Sequence, residues 1–169
     1  MDLNQQTLRG ILAQITSVNQ GNIVPKQGNW LNPQEQISAP DTWCAYLIRS
    51  NQPRTVPFYT TGIKNGVKVN RATTEKIATI ELQFVGPQSE QIAQSVCMWP
   101  LRSDVAAQFK TVNGAIMNDD LNAIRSVYYQ DGNNTVLAWN VTFRVLWYQT
   151  IETNQGLMPS VQFNGRINY

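Results

Sequence analysis

Residues Ile80 to Val96 read IELQFVGPQSEQIAQSV, and the hydrophobic period changes halfway along. Before Gly86-Pro87 the apolar residues alternate. Ala78, Ile80, Leu82 and Phe84 share one face and Thr79, Glu81 and Gln83 the other, as in a strand with one side on a core. Proline has no N–H to donate, so Gly86-Pro87 ends the ladder. Beyond it Ile92, Val96 and Trp99 recur at helical spacing, which predicts a helix from about Gln88 to Met98, broken at Pro100.

The same alternation returns in WNVTFRVLWYQ, where Trp139, Val141, Phe143, Val145 and Trp147 point one way and Asn140, Thr142 and Arg144 the other. An Asp-Gly turn at 131–132 joins this strand to AIRSVYY as an antiparallel hairpin. In TGIKNGVKV, Asn65-Gly66 predicts a second hairpin, because both central residues of its turn need positive φ. TWCAYLIRS, Thr42 to Ser50, is apolar on both faces, as a central strand covered on both sides would be.

Near the N-terminus, Leu3, Leu8, Ile11, Leu12, Ile15 and Val18 mark a helix that Asp2 or Asn4 can cap, with Gly21 placed where a stop is expected. Residues 19–41 hold three prolines and read as one long loop. Ser103 is positioned to cap a second short helix, SDVAAQF. The tail, 150–169, has no period and reads as extended. This order of elements predicts a single α+β domain over 1–169: an antiparallel sheet with helices packed on one face, a projecting β-hairpin and a long N-terminal loop.

The composition narrows the function classes. Only 14% of residues are charged, while Asn and Gln make up roughly a fifth of the chain. Such a weakly self-repelling surface suits a protein that stacks on copies of itself; a general preference for Asn accounts for it equally well. The net charge is +2, and Lys and Arg are dispersed, so no nucleic-acid stripe is visible. MDLNQQTLRGILAQI lacks the basic start and apolar run of a signal peptide. No stretch approaches the roughly 18 apolar residues of a membrane span. Cys44 and Cys97 sit among apolar neighbours and read as reduced core thiols.

Signs of catalysis are sparse. The chain has no histidine, which removes the usual base for a Ser or Cys nucleophile and the commonest zinc ligand. Asp119-Asp120 is the only adjacent acidic pair, and it reads as a turn or helix cap in preference to a Mg²⁺ site. FVGP lacks a phosphate-cradling pattern. The expectation is a non-enzyme with no catalytic residue, cofactor or metal.

Taken together, the turn-rich N-terminal loop, YLIRSNQP (46–53), ATIELQFVGPQSEQIAQSVCMWPLRS (78–103) and IRSVYYQDGNNTVLAWNVTFRVLWYQ (124–149) resemble the neck and tail terminator proteins of long-tailed bacteriophages. The match covers roughly Thr42 to Gln149; Trp139 stands where that family often has an arginine. The resemblance implies a virion protein, made in the host cytoplasm, that forms a closed and commonly hexameric ring at the head-proximal end of the tail. Such a ring ends tail tube assembly and joins the tail to the head connector. Its partners would be further copies of itself, the tail tube protein and the connector, with the sheath as another candidate and DNA only as passing cargo. The alternatives are another ring-forming connector or tail tube subunit and, in a different class, a nucleic-acid-binding module. The expected contact residues are Lys64, Asn65, Gly66 and Lys68 at a positively charged hairpin tip, and Trp30 and Leu31 in the long loop.

Overall fold

A computed structural model describes residues 3–26, 41–119, 121–129 and 135–154. Over these residues the chain is α+β: a mixed, mostly antiparallel, seven-stranded open sheet with three helices. The elements are α1 (Gln5–Ile15), β1 (Ile23–Pro25), β2 (Trp43–Pro53), β3 (Phe58–Lys64), β4 (Val67–Val85), α2 (Ser89–Cys97), α3 (Ser103–Lys110), β5 (Gly114–Ile116), β6 (Ile124–Tyr129) and β7 (Thr135–Asn154), with short 3-10 turns at Gln20–Asn22 and Trp99–Leu101. Strand order is β1-β2-β4-β7-β5, with β3 also on β4 and β6 also on β7. Because β7 occupies one side of β4 throughout, β2 and β3 lie end to end along the other.

The alternation along β4 and β7 builds the core. The paired residues Phe84–Trp139, Leu82–Val141, Ile80–Phe143 and Ala78–Val145 put their side chains on one face. All three helices bury their apolar residues in the same cluster, through Leu8, Leu12, Ile92, Val96, Val105 and Phe109 among others. At its centre, Phe143 meets Trp99 and Phe109 edge-on, at centroid distances of 5.5 and 6.1 Å. The start of β2 is covered on both faces, as its composition predicted. Cys44 and Tyr46 enter the main core, while Ala45 joins Val85, Ala138 and Val24 in a small cluster on the other side.

Several local expectations are corrected. The sheet is not purely antiparallel, since β1 pairs with β2 in parallel, Ile23 opposite Cys44. The connection from Pro25 to Trp43 is long enough for the crossover this requires. Residues 19–26 are therefore structured rather than loop: Asn19 O accepts from Asn22 N–H at 2.8 Å to close the 3-10 turn, Asn19 Oδ1 caps it by accepting from Gly21 N–H at 3.0 Å, and Ile23 and Val24 enter the sheet. Gly21 does not stop α1. The helix ends at Ile15, where the Thr16 hydroxyl donates to Leu12 O at 2.7 Å. Asn4 is its cap, in a reciprocal capping box with Thr7. Ser103 is the first residue of α3 and not its cap; Arg102 holds the cap position without a side-chain bond and instead pairs with Asp104. Residues 150–154 continue β7 instead of beginning a tail. The Asp131-Gly132 turn and the rest of the tail lie outside the described residues, though β6 and β7 do pair as a hairpin, Tyr129 opposite Thr135.

The Gly86-Pro87 corner has a specific cause. Gly86 has φ +115°, and a Cβ there would lie 2.8 Å from Asp41 O and 2.9 Å from Thr42 Cα. The corner thus packs directly on the backbone entering β2, and the Thr42 hydroxyl accepts from Gln88 N–H at 3.1 Å. Gly86→Ala is expected to cost about 1–3 kcal/mol from backbone strain, with the steric clash in addition. A denaturant midpoint equal to that of the parent would show that this corner is free to shift.

Candidate assembly interface

The body of the sheet ends near Lys76 and Trp147. β2 pairs with β4 only as far as Pro53–Lys76, and β5 pairs with β7 only as far as Gly114–Trp147. Beyond that level, β3, the first part of β4 and the last part of β7 run on as a three-stranded arm. Its register is Tyr59–Ala72–Ile151 and Thr60–Arg71–Glu152, with Val69 opposite Asn154 near the tip. The Asn65-Gly66 turn closes β3 onto β4 with φ of 51° and 77°, the positive pair expected from sequence.

The two faces of the arm differ in chemistry. On the side continuous with the helical face lie Tyr59, Ile63 and Ile151, which are 68%, 76% and 57% exposed, with Thr61, Asn70 and Ala72 between them. Lys68 is the sole charge of this side along the arm. The opposite side carries an ion-pair network beside the half-exposed Phe58 and Val67 and the buried Val69. Glu152 accepts from Lys64 Nζ and, at 2.8 Å, from Arg71 Nε. The hydroxyls of Thr73 and Thr150 meet at 3.0 Å, and Glu75 pairs with Arg54 at 3.1 Å and accepts from the Tyr148 hydroxyl. Hydrogen bonds from Lys64 and Arg71 hold the Glu152 carboxyl below its ordinary range.

Lys64 and Lys68 therefore do not form one charged tip. They lie on opposite faces, because side chains alternate along a strand, and Lys64 is engaged by Glu152. Trp30 and Leu31 lie outside the described residues. Sequence reading missed Tyr59, Ile63, Arg71, Ile151 and Glu152. The only signal was the weak alternation of FYTTGIK and QTIET, which no buried face reinforces.

Elsewhere, Asp119 is neither a helix cap nor paired with a metal ligand set. It receives two hydrogen bonds from Arg144, at 2.8 and 2.7 Å, and among the described residues the next element is the strand β6. Among the described residues no three His, Cys, Asp or Glu side chains gather. Cys44 is buried and Cys97 partly so; both are free thiols, and burial pushes both thiol pKa values up. No protein-family model matches this chain, and no curated protein is significantly similar to it.

Proposed function

We propose that this chain is a structural protein of a phage virion, forming a ring at the head-proximal end of the tail that ends tube assembly and joins the tail to the head connector. The observation that supports this reading best is the arm: three strands beyond the helical body, with exposed apolar side chains on a nearly uncharged face. A monomer rarely keeps apolar side chains clustered on an uncovered sheet. The resemblance across Thr42 to Gln149 points the same way. In this role the work is done by interface geometry and not by a reacting group. A tail tube or connector subunit is the second reading, because the same arm would serve any ring.

Light scattering and negative-stain imaging of the purified protein test the proposal. Closed rings of uniform, commonly sixfold, subunit number that stay single are expected. Rings that stack into long tubes would favour the tube subunit. A strictly monomeric protein at high concentration would overturn both readings.

A further inference from the structure

We propose that neighbouring copies join by parallel strand addition, the outer edge of β3 in one copy pairing with the outer edge of β7 in the next. The inference rests on the ring reading above and names the contact that would build the ring.

Among the described residues, nothing pairs with the outer side of β3, or with the outer side of β7 beyond Tyr148. Each edge offers a row of backbone donors and acceptors of similar length, Phe58–Lys64 on one side of the arm and residues 149–154 on the other. Unpaired edges of this kind are templates for another strand. Both β3 and β7 run antiparallel to β4, so they run parallel to each other. Arms placed side by side and pointing the same way therefore present β7 of one copy parallel to β3 of its neighbour.

The side chains select a register. The only charge on the β3 edge is Lys64, and the only charge on the β7 edge beyond Tyr148 is Glu152. Both belong to the ion-pair face. Setting the neighbour's Lys64 beside Glu152 places its Ile63 beside Ile151, and these are the two most exposed aliphatic residues on the other face. In this register Thr61–Lys64 pair with residues 149–152, and the neighbour's β3 must diverge before Thr60, because β5 and Asn113 occupy the outer side of β7 from Tyr148 inward. Over those four residues the charge, the apolar contact and the alternation of faces are satisfied together. Within one chain Lys64 must reach Glu152 across β4; a neighbour's Lys64 would stand on the adjacent strand. Pairing of an edge with its own kind would instead use one edge and leave the other open. Contact between two different edges repeats head to tail, the arrangement that forms a ring when the rotation between neighbours closes.

Two experiments on the full chain test this. Lys64→Glu and Glu152→Lys are each expected to abolish rings, since each makes both edges of a copy alike in charge. Mixing the two variants in equal amounts is expected to restore rings, because alternating copies again meet with opposite charges. A merely intrachain role for the pair predicts no rescue on mixing. Independently of those variants, the double substitution Ile63→Cys with Ile151→Cys is expected to give, on mild oxidation, a ladder of covalent multimers ending at the ring size. Each single substitution should give none. Within a chain Ile151 is level with Tyr59, and Ile63 stands four residues farther along β3. The two positions are thus two strand spacings and about 13 Å of strand apart, beyond the roughly 7 Å Cα reach of a disulfide. Rings that form without the ladder and without rescue would overturn the edge contact and leave the ring reading intact. Absence of rings from the unaltered protein would overturn both.

Discussion

Phe143→Ala is expected to lower the free energy of unfolding by about 3–5 kcal/mol. Phe143 is 1% exposed and lies opposite Ile80 in the centre of the β4–β7 ladder. Two further aromatic rings, Trp99 and Phe109, meet it edge-on, so truncation removes the apolar burial and both ring contacts at once. The surrounding walls are a strand pair and two helices, α2 and α3, none of which can close the void without disturbing the others. The neighbouring Thr142 faces outward, and Thr142→Ala should change stability by under about 1 kcal/mol. Denaturant unfolding of the two variants with unchanged slope makes the comparison. Equal losses at the two positions would refute the assignment of faces.

The second large effect is expected at Glu81. This carboxylate lies on the face opposite the helices, is 7% exposed, and is held by Lys26 at 2.9 Å and by Arg49. Glu81→Ala would leave Lys26, itself largely buried, without its counter-charge, and is expected to cost about 3 kcal/mol. Burial pushes the Glu81 carboxyl up, but hydrogen bonds and charge from Arg49 and Lys26 outweigh it and hold the group below its ordinary value near 4.5. The folded protein therefore binds this proton less readily than the unfolded chain does. The contribution of the cluster is complete above the unfolded carboxylate value and is lost as pH falls through the folded one. Stability measured between neutral pH and pH 3 should thus fall less steeply for Glu81→Gln than for the parent. Parallel curves would show that Glu81 titrates as it does in the unfolded chain.

What the sequence disclosed depended on burial. Where a covered face enforced alternation, as in Ala78–Phe84 and Val141–Trp147, the strands and their inward sides were readable. Steric demands were also readable: positive φ at Asn65-Gly66, and the stop at Gly86-Pro87. Glu81 looked like a solvent-side residue because its partners, Lys26 and Arg49, come from distant parts of the chain. β1 is only three residues long and exists because β2 is there to receive it. The arm was hardest to see. The last residues of β7 have no core to pattern them, and their strand conformation is imposed by pairing with β4. The tip lysines were noticed, but their separation onto two faces follows from register, which sequence spacing alone did not supply.

The β4–β7 ladder runs from Val85–Ala138 to Val69–Asn154 without a register shift. Body and arm are therefore one continuous beam, on the order of 60 Å along β4. Among the described residues, most of the beam's buried side chains lie at one end, with Val69 buried near the other. A slip of a single residue would turn Phe143 and Ile80 out of the core, and by the same rotation would exchange the charged and apolar sides of the distant arm. Orientation of the uncovered strands is thus inherited from packing at the far end. Like a cantilever clamped at its base, the arm has no hinge of its own, and load applied along it is shared as shear by every hydrogen bond between the two strands.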